Sequence, residues 1–300
     1  MKVSIIGMGH VGAATAHALM MGGDVEELVL VSRRREKAHA DALDLTHAAA
    51  LLARTIHIEA GDLEATSGSD LVVLAHSAPL DKPNRKLLAG ANGKMFRETI
   101  PEIADQSPYS VLLVLSNPVD ALVHLILELT DRPWRKVIGA GTLIDSLRFR
   151  SLISQRLGIH PHDVRAYVLG EHGETQFPAI SIAEAGGMRV ANRAGDLHEL
   201  FEQARRSPWE VFAGKGYTDF AIAHAAAMVT SSMAHNDLHT LPVSTRIDGF
   251  LGVTGVCLSL PCVIGRKGVT QQLGPDLSAD EEAAFRASAE SVRETIGQLG

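Results

Sequence analysis

The stretch KVSIIGMGHVG, residues 2–12, places Gly7, Gly9 and Gly12 between a short β-rich run and an alanine-rich segment. This G-x-G-x-x-G spacing, in a strand–turn–helix setting, is typical of a loop that holds the pyrophosphate of a dinucleotide. Gly7 permits the tight turn, Gly9 lets the backbone approach a phosphate, and Gly12 lets helix and strand pack closely. The N–H groups at the start of the helix would complete an anion site. A tight turn without a ligand is the alternative.

Apolar strands alternate with helical segments through the rest of the first half. We expect helices at residues 11–21 and 36–52, and strands at 2–6, 28–31, 55–60, 70–76, 110–116 and 136–141. Continuous apolar strands that alternate with helices predict a parallel sheet covered on both faces. The fold class is therefore predicted as α/β, with a Rossmann-type doubly wound parallel sheet.

The second half of the chain is less regular. Its patterns predict one strand at residues 164–169, antiparallel strands in TLPVSTRI and GVCLSLPCVIG, and helices at 143–157, 217–234 and 280–297. We therefore expect an α+β catalytic domain to follow the parallel sheet. The boundary is placed near Gly141, which gives a dinucleotide-binding domain at 1–141 and a catalytic domain at 142–300.

Composition excludes several classes of protein. Hydrophobic residues make up 46% of the chain and charged residues 21%, as in soluble globular proteins. The formal net charge of −7 argues against a general nucleic-acid binder. The apolar runs are too short for a signal peptide or a membrane span. Cys257 and Cys262 are expected to be buried thiols in a reducing compartment, and they make a poor metal site. We expect a cytoplasmic protein.

Residues 32–35, SRRR, follow the second predicted strand, where NAD-binding units usually carry Asp or Glu. Such an acid binds ribose hydroxyls and would repel a 2′-phosphate. Ser32 does not repel it, and Arg33 and Arg34 offer forked donors that match phosphate geometry. The run therefore predicts a 2′-phosphate site and NADP as the cofactor, with NAD as the second choice. A solvated arginine cluster is the alternative, and Arg35 is the least favoured contact.

Four further stretches carry chemistry, namely LSNPVD (115–120), GTLIDSLRFR (141–150), LGEHGET (169–175) and GYT (216–218). Their order and spacing resemble the L-lactate/malate dehydrogenase family, and the resemblance runs from the glycine loop to VCLSLPCVIG near the end. It implies an oxidoreductase that transfers a hydride between a nicotinamide dinucleotide and a 2-oxo or 2-hydroxy acid, and the SRRR run makes that dinucleotide NADP(H). It also implies a homodimer or homotetramer.

The same resemblance assigns roles to individual residues. His172 matches the family's proton donor and acceptor, and Asp145 matches the acid that orients its imidazole and raises its pKa. Arg148, one helical turn after Asp145, matches the arginine that grips the substrate carboxylate. Asn117 matches a residue near the nicotinamide and the substrate carbonyl, and Thr218 resembles a lactate-type pocket wall. A structural ion pair is the alternative for Arg148, and a turn former for Asn117.

The family's mobile loop corresponds to HSAPLDKPNRK, which follows the fourth strand. Arg85 is the best match to the arginine that polarises the carbonyl, although KPNR is two residues shorter than the usual spacing. Lys86 and a solvent-facing role are the alternatives. Leu80 and Asp81 stand where malate-type members place an arginine, so a monocarboxylic substrate is favoured. Lys82 could still pair with a second carboxylate.

Two other functions compete with this hypothesis. One is a malate dehydrogenase that uses NAD or NADP. The other is a cofactor-binding regulatory protein without turnover, which the presence of His172, Asp145 and Arg148 argues against. Arg150 and Arg165 resemble positions where some bacterial members bind a sugar bisphosphate between subunits, and ordinary surface or interface arginines are the default there.

Overall fold

The computed structural model describes residues 1–78, 85–190 and 195–300, and of residues 85–87 it describes only the backbone. Within these residues the strands are β1 Lys2–Ile6, β2 Glu27–Val31, β3 His57–Gly61, β4 Leu71–Leu74, β5 Val111–Val114, β6 Val137–Gly139, β7 Val164–Arg165, β8 Val168–Leu169, β9 Phe177–Pro178, β10 Glu184–Ala185, β11 Met188–Arg189, β12 His239–Asp248, β13 Thr254–Gly265 and β14 Gly268–Gln272. The helices are α1 His10–Gly22, α2 Arg35–Ala49, α3 Arg85–Gln106, α4 Val119–Leu129, α5 Leu143–Leu157, α6 Leu197–Lys215, α7 Phe220–His235 and α8 Ala279–Ile296.

A nine-stranded sheet in the order β14-β13-β12-β6-β5-β4-β1-β2-β3 forms the centre of the molecule. Strands β1 to β6 run parallel, with β1 between β4 and β2. The side chains of β1, β2, β4, β5 and β6 are largely buried on both faces, in two separate apolar clusters, whereas the edge strand β3 is partly exposed. The predicted fold class, a Rossmann-type doubly wound parallel sheet followed by an α+β segment, is confirmed.

The sheet continues from the first half of the chain into the second. Ser244 of β12 pairs antiparallel with Gly139 of β6, and β12, β13 and β14 extend the sheet as antiparallel neighbours. The antiparallel strands predicted in this part are therefore confirmed. The domain boundary near Gly141 stays a prediction.

Residues 164–169 do not form the single strand that the sequence predicts. The segment splits into β7, which pairs with β10, and β8, which pairs with β9 in a different sheet. Between them the carbonyl of Ala166 accepts a hydrogen bond from Nε of Arg150 at 2.8 Å, so a side chain takes the place of a ladder partner. Arg150 is buried against Tyr167 and is not a surface arginine, whereas Arg165 is exposed.

Helix α6 is present although the sequence patterns do not predict it. Asp196 caps its start by accepting hydrogen bonds from the N–H groups of His198 and Glu199. Pro208 lies inside the helix, and proline usually argues against a helical interior. Cys257 and Cys262 are buried free thiols in β13, as predicted. None of the helices in the described ranges is long and apolar enough to cross a membrane.

Candidate active site

Three side chains of the predicted catalytic set meet in one hydrogen-bonded group. Helix α5 carries Asp145 in its first turn and Arg148 one turn later, so both lie on the same helical face. His172 follows β8 and turns its Nδ1 towards Oδ2 of Asp145 at 2.7 Å. Nη1 of Arg148 donates to the other carboxylate oxygen at 3.1 Å. The structure thus brings together His172, Asp145 and Arg148 as the sequence predicts.

The charges in this group stabilise one another. Burial alone would raise the pKa of Asp145, but His172 and Arg148 hold that pKa below its ordinary value. Burial alone would lower the pKa of His172, but the Asp145 carboxylate and its hydrogen bond raise it above its ordinary value. The imidazole is therefore poised to carry a proton at Nε2, since Nδ1 is taken by Asp145.

A cavity of about 460 Å³ opens over this group. Both halves of the chain supply its wall, which includes Asn117, Asp145, Arg148, His172, Arg206 and Thr218. The wall combines the imidazole of His172 with the guanidinium of Arg148, and apolar side chains such as Trp209 and Ile222 lie beside them. This composition suits a small anionic molecule with a group that gains or loses a proton.

The glycine loop has the geometry of a phosphate site. Gly7 has φ +104°, and a Cβ there would lie 2.5 Å from the backbone of His76. A Cβ on Gly12 would lie 1.9 Å from the carbonyl oxygen of Gly7, so helix α1 packs tightly on the turn. Gly9 has open space around its Cβ position and starts α1 without a side-chain cap. The first N–H groups of α1 are therefore free to bind an anion.

A second cavity, of about 860 Å³, lies over the glycine loop and the end of β2. Ser32, Arg33 and Arg34 line it, as expected for a dinucleotide cleft. Arg35 also lines it but forms an ion pair with Asp62 at 2.8 Å. Arg33 and Arg34 have no ion pair with any residue in the described ranges, so their guanidinium groups are available to a ligand.

The two cavities share Val11 and Thr218 in their walls, so they are adjacent. His10 of the glycine loop stacks on Tyr217 of the GYT segment, with ring centroids 3.6 Å apart. Asn117 lines the smaller cavity, and its carbonyl accepts a hydrogen bond from Nδ2 of Asn92 at 2.6 Å. A molecule in the larger cavity can therefore reach one in the smaller cavity.

The predicted mobile loop, HSAPLDKPNRK, lies mostly outside the described residues. Helix α3 begins at Arg85, but the side chains of Arg85 and Lys86 are not among those described. Leu80, Asp81 and Lys82 also lie outside the described residues. The roles predicted for these residues stay predictions.

One buried acid that the sequence patterns do not assign contacts the loop that carries His172. The carboxylate of Asp120 is buried and accepts a hydrogen bond from the backbone N–H of His172 at 2.8 Å. Glu171, next to His172, accepts hydrogen bonds from Ser291 of α8, at 3.1 Å, and from Thr175. In the sequence, Asp120 is the acid at the end of SNPVD.

Comparison with known families accounts for the order of these motifs. A family model described as the NAD binding domain of lactate/malate dehydrogenase matches residues 1–139, and one described as the alpha/beta C-terminal domain matches residues 142–299. The chain belongs to the lactate/malate dehydrogenase family. The resemblance predicted from the sequence is confirmed.

Relatives in this family match the chain over almost its whole length. An L-lactate dehydrogenase of Salinibacter ruber is 36% identical, over 99% of this chain and 97% of its own. One from Thermoanaerobacter sp. is 33% identical, over 99% of both chains. The crystal structure of a lactate dehydrogenase from a Medee basin deep-sea metagenome library superposes with a TM-score of 0.95 at 30% identity, over 99% of this chain and 98% of its own. The chain is thus a lactate-dehydrogenase-like oxidoreductase with a nicotinamide-dinucleotide-binding domain.

Proposed function

We propose that the chain is a 2-hydroxy acid dehydrogenase that prefers NADP(H) and acts on a 2-oxo or 2-hydroxy monocarboxylic acid. The observation that carries this proposal is the hydrogen-bonded group of Asp145, His172 and Arg148 in a cavity next to the dinucleotide cleft. Relatives called L-lactate dehydrogenase favour a substrate such as pyruvate or lactate.

The residues of the smaller cavity divide the work. Arg148 holds the substrate carboxylate with its guanidinium, which places the 2-oxo group beside His172. Protonated His172 gives its Nε2 proton to the carbonyl oxygen as that atom becomes an alcohol, and takes it back in the reverse direction. Asp145 keeps the imidazole oriented and stabilises its positive charge. When bound, the reduced nicotinamide supplies the hydride that completes the reduction.

The dinucleotide cleft fits the phosphorylated cofactor. The start of α1 offers free N–H groups for the pyrophosphate, and the end of β2 carries no acid that would repel a 2′-phosphate. Arg33 and Arg34 line the cleft and supply the charge that such a phosphate needs. NAD is the alternative cofactor.

Cofactor preference is tested by fluorescence titration of the protein with NADPH and with NADH. We expect NADPH to bind at least about 10-fold more tightly, since one charge-assisted hydrogen bond contributes about 1.5–3 kcal/mol. In Arg33→Gln and Arg34→Gln the preference should shrink while NADH affinity changes little. Arg35→Gln is the matched control, because Arg35 is already paired with Asp62. Equal affinity for both cofactors in the natural chain would refute the phosphate site.

Catalysis is tested with His172→Asn, assayed with NADPH and pyruvate. Turnover should fall roughly 100- to 10,000-fold, the usual contribution of a general acid. Cofactor affinity should stay nearly unchanged, because His172 does not line the dinucleotide cleft. Full activity in this variant would rule out His172 as the proton donor, and loss of cofactor binding would point to misfolding instead.

A malate dehydrogenase is the second candidate, and one observation favours it. Arg206 lines the smaller cavity, is exposed, and donates from Nε to the carbonyl of Glu202 at 3.2 Å. Its terminal nitrogens could pair with a second carboxylate of the substrate. Oxaloacetate is therefore assayed beside pyruvate, and faster turnover of oxaloacetate would favour this candidate.

A further inference from the structure

Asp120 is a buried acid that the mechanism above does not use. It lies in the first turn of α4, with 3% of its surface exposed. Its Oδ2 accepts a hydrogen bond from the backbone N–H of His172 at 2.8 Å. Its Oδ1 has no hydrogen-bond partner within the described residues. The carboxyl group is therefore shielded from water and held against the loop that carries His172.

The hydroxyl of Ser244 partly offsets the effect of burial on the pKa of Asp120. Ser244 of β12 and Cys257 of β13 face Asp120, and both are fully buried. The titratable groups near it are His172, which favours its charge, and Glu171, which opposes it. Burial raises the pKa of Asp120 to about 6. Above that pH the site holds a second negative charge beside the imidazole.

His172 thus lies between two carboxylates on two different helices. Asp145 of α5 contacts the ring at Nδ1, and Asp120 of α4 contacts the backbone of the same residue. Both raise the pKa of His172, while the nearby guanidinium of Arg148 lowers it. The carboxylate of Asp120 therefore acts on both the position and the charge of the histidine.

We propose that Asp120 is a second positioning residue for proton transfer, which anchors the His172 loop through its backbone N–H and stabilises the protonated imidazole by its negative charge. The inference rests on the proposed role of His172. It differs from the role of Asp145, because Asp120 binds the backbone N–H of His172 and Asp145 binds its ring. The hydrogen bond between Asp120 and His172 also links α4 directly to the loop that carries His172.

Asp120→Asn tests the charge while keeping an acceptor oxygen for the N–H of His172. We expect the pKa of His172, followed by NMR of its imidazole carbon, to fall by about one unit, as for loss of a nearby opposite charge. The limb of kcat/KM against pH that reports His172 should move to lower pH by a similar amount. The His172 signal is identified by its absence from His172→Asn.

Glu128→Gln is the matched control. Glu128 lies on the same helix, pairs with His124 at 3.2 Å and is half-exposed, so its removal should leave both measurements unchanged. A purely structural role for Asp120 would lower kcat at every pH without moving the profile. A folded Asp120→Asn whose His172 titrates as in the natural chain would therefore overturn the proposal.

The natural chain gives an independent test if Asp120→Asn does not fold. With carboxyl-labelled aspartate, Asp120 should titrate near pH 6, and the imidazole signal of His172 should respond over the same range. A His172 signal without that response would overturn the proposal. A coupled titration together with full activity in His172→Asn would instead keep the electrostatic link and refute the proton-transfer role.

Discussion

Two glycines of one loop have different surroundings at the scale of single residues. A Cβ on Gly12 would collide with the carbonyl oxygen of Gly7, whereas a Cβ on Gly9 meets no atom within 4 Å. We therefore expect Gly12→Ala to destabilise the protein without cofactor by about 1–3 kcal/mol, as overpacking does. Gly9→Ala should change the free energy of unfolding by less than about 0.5 kcal/mol, measured by urea denaturation.

Cofactor binding should show a different pattern. Gly9 lies where a pyrophosphate approaches the backbone, so an added methyl group in Gly9→Ala should weaken NADPH at least about 10-fold. The variant is then stable but binds poorly, which separates a ligand-contacting glycine from a packing glycine. If Gly9→Ala bound NADPH normally, the pyrophosphate would not lie against this loop.

At the scale of elements, the sequence predicts those parts whose neighbours are set by local pattern. The inner parallel strands are continuous apolar runs because both faces of the sheet are covered there, so their pattern alone identifies them. Helix α5 is also predictable from local pattern, since the sequence predicts a helix at 143–157 and the structure has one at Leu143–Leu157. Residues 164–169 are not, because β7 and β8 take partners in different sheets and Arg150 of α5 binds the carbonyl between them, which no local pattern contains.

The candidate site shows the same division. The sequence predicts Asp145, Arg148 and His172, because each lies in a short motif that resembles one of the lactate/malate dehydrogenase family. The contact between Asp120 and His172 joins residues 52 positions apart, through a hydrogen bond between α4 and the loop that carries His172. No local sequence pattern predicts a contact between residues so far apart in the chain. Helix α6, with Pro208 inside it, likewise depends on tertiary packing that outweighs the local cost of proline.

At the scale of the whole molecule, the site forms where the two halves of the chain meet. One sheet runs through both, and β6, which leads into α5, lies where the parallel part of the sheet meets its antiparallel part. The dinucleotide cleft and the smaller cavity adjoin there through Val11 and Thr218. Hydride transfer needs the two reactants in contact, and this arrangement supplies that contact without a long-range movement of the sheet.

The whole molecule should become less stable as pH falls, in part because of one buried histidine, His76. The ring of His76 stacks on Phe96, its centroid 4.7 Å away, and Nε2 lies 3.2 Å from Oγ1 of Thr99. Burial lowers the pKa of His76 to about 4, and the charge of Arg33 adds to this effect. Between pH 6.5 and 4 the unfolded chain therefore binds a proton that the folded chain does not, so stability is lost as pH falls.

The comparison of the natural chain with His76→Gln, both without cofactor, isolates this contribution. Between pH 7.5 and 5 the natural chain should lose up to about 2 kcal/mol more of its unfolding free energy than the variant, measured by urea denaturation. Asp120, whose pKa is raised to about 6, acts in the opposite direction, but it is present in both chains and cancels. His39→Gln, at an exposed position of α2, is the control and should follow the natural chain. Parallel pH curves for the natural chain and His76→Gln would show that His76 takes up its proton equally in the folded and unfolded states.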